Sequence, residues 1–202
     1  VRLFFINLGF LLLTCLLAAC GQSKHETLAN DAVILAFGDS LTAGVGTNLD
    51  NSYPKVLSDL SGRPVVNAGV SGETTAVGLQ RFETELNRHS PGLVILLEGG
   101  NDILRNQSFG TSKNNLAAMI ELAQARQIPL LLLGVPEKNL FSSSADFYEE
   151  LADQYDLLFI EDLVSDLLRT SRYKSDTVHL NAEGYRAMAE AIYDYLRDQN
   201  LL

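Results

Sequence analysis

Five short apolar runs, each ending in a glycine-rich or polar turn, constrain what this chain can fold into. They lie at residues 32–37, 65–66, 93–97, 129–135 and 157–160, separated by stretches with helical spacing of apolar residues. The runs are continuous rather than alternating, the pattern of strands covered on both faces. A half-solvated antiparallel strand would show every second residue polar. Strand–helix alternation with short connections predicts a three-layer α/β domain around a parallel sheet. Helices are expected at 53–60, stopped by Gly62 and Pro64, at 75–88, around Leu116–Ala123, at 146–154 and at 162–168. A closing helix carries Tyr185, Met188, Ala189, Ile192 and Leu196, with Asn181 as its cap.

The first residues follow another logic. Residues 1–19 are almost wholly apolar, with Arg2 as their one charge. The run at 8–19 is too short for a comfortable membrane span and reads as a secretory signal. Leu17-Ala18-Ala19-Cys20 resembles the bacterial lipobox, which implies cleavage before Cys20 and acylation of its thiol. Leu13-Thr14 make Cys15 a poorer candidate. Residues 20–30 then form a polar tether and 31–202 one folded domain. Cys15 and Cys20 are the chain's two cysteines, so a mature domain so processed has no disulfide, thiol nucleophile or thiolate metal site. Export and anchoring place it on the periplasmic side of the envelope. Gly21, where an aspartate would favour the inner membrane, points to the outer one.

The formal net charge is −10, and loss of a segment with one arginine and no acid makes it about −11. Such a surface argues against nucleic acid and against electrostatic docking on anionic lipid. Membrane attachment would come from the lipid anchor.

In parallel sheets, ligands bind beyond the carboxyl ends of the strands. Gly38-Asp39-Ser40-Leu41 follows the first strand. Asn67-Ala68-Gly69-Val70-Ser71-Gly72 follows the second, and Gly99-Gly100-Asn101-Asp102 the third. Asp176-Thr177-Val178-His179 precedes the last helix. Each string alone has an ordinary reading: Ser40 or Asp39 as a helix cap, Asn101 or Gly72 as a turn residue, Asp176 as a loop acid. Gly44-Val45-Gly46 is too incomplete for a nucleotide loop. Of three histidines, His25 falls in the tether and His89 at a helix end, so His179 is the one good base for a serine. Asp176, three residues earlier, can hold one ring nitrogen and fix the tautomer.

Together the four strings, in this order and spacing, resemble the GDSL or SGNH hydrolases, and within them the bacterial arylesterase and multifunctional thioesterase–lysophospholipase group. The resemblance spans residues 33–196. It implies a flavodoxin-like fold with five parallel strands. It implies Ser40 as nucleophile, His179 as base and Asp176 as its orienting acid. The oxyanion donors would be the Ser40 and Gly72 amides and the Asn101 side chain, with Asp39 structural. The segment 103–110 would contact the acyl chain through Ile103, Leu104 and Phe109, and 136–144 is a further candidate pocket wall. The expected substrates are small acyl esters or thioesters. A carbohydrate deacetylase on the same scaffold is the alternative enzyme, and a non-catalytic lipid- or glycan-binding lipoprotein the alternative from another class. Serine chemistry of this kind needs no cofactor, and neither HExxH nor a dense His/Asp/Glu cluster suggests a metal. Hydrolysis should fall in acid as His179 takes up a proton.

Overall fold

A computed structural model describes residues 26–138 and 143–202. The expected signal segment, Cys20 and His25 lie outside the described residues. The expected strands form one parallel sheet: β1 (Ile34–Gly38), β2 (Val65–Gly69), β3 (Leu93–Leu97), β4 (Leu130–Leu133) and β5 (Leu158–Ile160). Their order is β2-β1-β3-β4-β5, every neighbouring pair parallel. β1, β3 and β4 are wholly buried, which explains their unbroken apolar sequence. β2 is a half-buried edge strand and accommodates Asn67.

Helices cover both faces. α2 (Tyr53–Ser61), α7 (Leu163–Arg169) and α8 (Ala182–Asp198) pack on one side. α3 (Thr75–His89), α5 (Phe109–Gln124) and α6 (Asp146–Tyr155) pack on the other. Asn181 caps α8 as expected, its side chain accepting from Gly184 N. Two short helices carried no periodic signal: α1 (Ser40–Ala43) and α4 (Gly100–Leu104). Both sit at carboxyl ends of strands, and both carry residues of the predicted site. Between them the sheet order reverses direction, where β1 leads outward to β2 and its other neighbour is β3. Such a switch point opens a crevice above the sheet.

Thr27 and Leu28, within the stretch read as tether, are docked at the opposite end. Thr27 Oγ1 donates to Asn200 O at 2.9 Å, and Leu28 N to Leu201 O at 3.0 Å.

Candidate active site

Ser40 opens α1 directly beyond β1. Asp39 caps that helix, its Oδ1 accepting from Leu41 N at 3.1 Å. The turn is tight because Gly69 of β2 lies against α1. A Cβ on Gly69 would come within 2.1 Å of Ala43 N.

His179 arrives from the far end of the sequence. Its loop is closed at the base by Ser175 N donating to His179 O at 3.0 Å and Asn181 N to Tyr173 O at 2.8 Å. Asn181 Nδ2 also donates to Arg172 O at 2.7 Å. Gly46, with φ +98°, lets the chain after α1 pass beneath this loop. A Cβ there would stand 2.2 Å from Ser175 Oγ and 2.4 Å from Leu180 O. The glycine that lacked a nucleotide motif thus joins the serine turn to the histidine loop. Tyr185 of α8 ties the same stretch down by donating to Val45 O at 2.7 Å.

His179 Nδ1 and Asp176 Oδ2 are 2.8 Å apart, and His179 Nε2 and Ser40 Oγ 3.1 Å. An ionised carboxylate only accepts, so Nδ1 carries the hydrogen and Nε2 can accept from the serine hydroxyl. Asp176 Oδ1 also accepts from the backbone N–H of Val178 and of His179, each at 2.8 Å. Desolvation alone would raise the Asp176 carboxyl. The hydrogen bonds from the His179 ring and the two amides outweigh it and hold the group below its ordinary value. Surface exposure and these hydrogen bonds both keep Asp176 ionised.

Asn101 stands in the first turn of α4, and its Nδ2 donates to Asp39 Oδ2 at 3.2 Å. Gly72 faces the same pocket. Arg105 Nη2 donates to Gly72 O at 2.9 Å, linking α4 to the β2 loop. Asp102 makes a second link. Its carboxylate accepts from Thr75 N at 2.9 Å, Thr75 Oγ1 at 2.7 Å and Ser112 Oγ at 3.0 Å, capping α3 from another segment. Of the site residues expected from the sequence, Ser40, Gly72, Asn101 and His179 thus line one crevice, and Asp176 stands outside it, bonded to His179 Nδ1. His89 lies elsewhere, with Nε2 3.2 Å from Glu85 at the end of α3.

Buried acids surround the site from below. Desolvation pushes the Asp39 carboxyl up to about 6, against the lowering effect of the Leu41 N–H, His179 and Asn101. Glu98, fully buried at the end of β3, is raised well above the ordinary carboxylate range by burial, then by the charges of Asp39 and Glu73. Its Oε2 accepts from Gly99 N at 3.2 Å, while Oε1 has no hydrogen-bond partner. Glu73, next to Gly72, is buried and neutralised by Arg81, whose Nε donates to Oε1 at 2.8 Å. Arg81 Nη2 also donates to Ala68 O at 2.9 Å, and the guanidinium lies 3.9 Å from the Phe37 ring centroid.

The crevice is a cavity of about 230 Å³ lined by Ser40, Asn101 and His179 among others. Ile103, Leu104, Val135, Val164, Leu168 and Val178 give it apolar walls. Ile103 and Leu104 stand where expected. Phe109 does not line this cavity. It borders an adjacent hollow and packs on Phe147 with centroids 5.4 Å apart, because α5 begins at that residue and turns it toward α6. Of the segment 136–144, Pro136, Glu137 and Lys138 reach the wall, and residues 139–142 lie outside the described residues.

A doubly covered 2-1-3-4-5 parallel sheet, the flavodoxin-like order, with a hydrogen-bonded Ser–His–Asp set beyond its switch point defines the class as that of the three-layer serine hydrolases. Residues 36–187 match the GDSL-like Lipase/Acylhydrolase family, and the chain belongs to it. It is thus a GDSL/SGNH hydrolase acting on esters. It is 28% identical over 199 residues to an arylesterase of Vibrio mimicus, covering 92% of this chain and 94% of that one. It is 27% identical to thioesterase 1/protease 1/lysophospholipase L1 of Escherichia coli K12, covering 78% and 79%. Among solved structures, the SGNH-hydrolase family esterase AlinE4 superposes with a TM-score of 0.65 at 34% identity, covering 85% of this chain and 98% of that one.

Proposed function

We propose that this protein hydrolyses carboxylic ester or thioester bonds of acyl substrates through an acyl-Ser40 intermediate. The 3.1 Å approach of His179 Nε2 to Ser40 Oγ, with Nδ1 held by Asp176, carries the reading. His179 takes the hydroxyl proton as Ser40 Oγ attacks the acyl carbonyl. The oxyanion of the tetrahedral intermediate accepts from the amides of Ser40 and Gly72 and from Asn101 Nδ2. His179 then gives its proton to the departing alcohol or thiol, leaving acyl-Ser40. Water, deprotonated by the same nitrogen, releases the acid and regenerates the serine. Fixed donors aimed at the developing charge act more strongly in such a partly enclosed site than in water.

The apolar side chains of Ile103, Leu104, Val135, Val164 and Leu168 in the wall offer an acyl chain surface to bury, which favours it over an acetylated sugar. The arylesterase and thioesterase–lysophospholipase relatives support the same substrate class. Cleavage before Cys20 and its acylation would anchor the enzyme on the periplasmic side of the envelope, at the outer membrane.

The test is fluorophosphonate labelling of the full chain in detergent, located by peptide mass mapping, alongside p-nitrophenyl butyrate and octanoate turnover. Label on Ser40, with label and turnover lost in Ser40→Ala, is expected. Well-folded protein with neither would reject the enzyme reading. Activity confined to acetylated sugars would replace the substrate class.

A further inference from the structure

The two ends of the sheet have opposite connections to the rest of the chain. The catalytic crevice lies beyond the carboxyl ends of β1, β2 and β3. The first described residues lie at the other end. Glu26 and Leu28 border a hollow whose remaining walls include Gly92, Ile128, Pro129 and Leu157, the residues leading into β3, β4 and β5. The bonds of Thr27 to Asn200 and of Leu28 to Leu201 fasten the incoming chain there.

Seven peptide steps separate Cys20 from Thr27, a reach of about 25 Å at full extension. A domain of this size has a radius of gyration of about 16 Å, and so a diameter near 40 Å. To press its crevice on a membrane, the domain would have to lift its attachment point by about that diameter. The available chain is too short by roughly 15 Å. An upright or sideways domain is within reach, and an inverted one is not.

We propose that the fastened, short tether turns the catalytic crevice away from the membrane that holds the enzyme. Its acyl esters then reach it through the aqueous phase, and esters fixed in its own leaflet are out of range. This rests on acylation at Cys20, proposed above. The acid-rich surface acts in the same direction, because it gives no electrostatic reason to roll onto anionic lipid.

The experiment uses the full chain, purified as its host processes it and reconstituted in phosphatidylcholine vesicles. Vesicle flotation and the mass of the amino-terminal peptide read the anchor first. A protein that does not float, or floats equally as Cys20→Ser, overturns the anchor and this proposal with it while leaving the hydrolase reading intact. Two fluorogenic esters of one acyl group are then compared: one water-soluble, one linked to the headgroup of a long-chain phospholipid in the enzyme's own vesicles. The reference protein carries thirty Gly/Ser residues inserted between Ser23 and Lys24, a flexible reach of about 30 Å and far more when extended. Both proteins should turn over the soluble ester equally. The native tether should cleave the lipid-linked ester at least tenfold more slowly than the long one. Equal rates on that ester, fast or slow, would overturn the proposal, because tether length would then not govern access.

Discussion

Asn101 Nδ2 donates to Asp39 Oδ2 at 3.2 Å, joining the turn after β3 to the turn after β1. Asp39 Oδ1 meanwhile accepts from Leu41 N. One carboxylate thus caps the helix that carries Ser40 and aims the amide proposed as an oxyanion donor. Asn101→Ala should lower kcat by on the order of 10²–10³ with a much smaller change in KM, as loss of such a donor does. Steady-state kinetics on p-nitrophenyl esters reads this, and an effect confined to KM would remove Asn101 from the oxyanion site.

Asp39→Asn separates the two tasks of that carboxylate. Asparagine has one acceptor oxygen and cannot serve both the Leu41 N–H and the Asn101 amide. Turnover should fall about tenfold or more through misplacement of Asn101. Stability should respond to pH in the opposite sense. The Asp39 carboxyl is raised from 3.8 to about 6 by burial. A raised acid contributes stability that is fully present below its unfolded value and lost as pH rises through its folded one. The wild type should therefore lose up to about 3 kcal/mol from this group between pH 4 and pH 7. The variant's Tm relative to wild type should be higher at pH 8 than at pH 4; a pH-independent difference would contradict the assignment.

Glu98 makes a related case without touching the crevice. Its carboxyl is raised well above the usual range by burial and by the charges of Asp39 and Glu73. Stability from this group is lost as pH climbs through its folded value. Glu98→Gln, neutral at every pH, should flatten the fall of Tm with rising pH relative to the wild type. An unchanged slope in thermal melts across pH would show that ionisation of Glu98 does not contribute to it.

Asp176→Asn probes the tautomer. The amide would turn an N–H toward His179 Nδ1 and favour the ring form that cannot accept from Ser40. A kcat loss of roughly 10²–10⁴ is expected with near-normal Tm, because the side chain is 53% exposed. Thermal melts and kcat on the same preparation distinguish this from unfolding.

Gly69→Ala tests the seat of the nucleophile turn. The added methyl would stand 2.1 Å from Ala43 N and 2.7 Å from Ala43 Cα, backbone that cannot swing aside. Destabilisation above about 2 kcal/mol is expected. Urea titration of the variant measures it.

Much of this arrangement was legible along the chain because it is local. The β3 run at Leu93–Leu97 is apolar at every position and emerges as a strand with those bounds. Asp176 and His179 are three residues apart, so one turn suffices to pair them. Phe109 was misplaced for a non-local reason: its side chain is directed by where α5 starts and by Phe147 on α6. α1 and α4 were unreadable because four or five residues give no helical period.

The sequence by itself determined the strand and helix types, the parallel class and the residues that carry chemistry, because periodicity, turns and side-chain chemistry are properties of neighbours. Only the tertiary structure decided that Asp39 holds Asn101, that Asp102 caps α3 at Thr75 and that Gly46 seats the histidine loop. Those partners are 62, 27 and more than a hundred residues apart, and they meet because parallel strands gather all their carboxyl ends at one edge. The direction in which the crevice faces relative to the first residues of the domain is a decision of the same kind, fixed by the docking of Thr27 and Leu28 beneath the sheet.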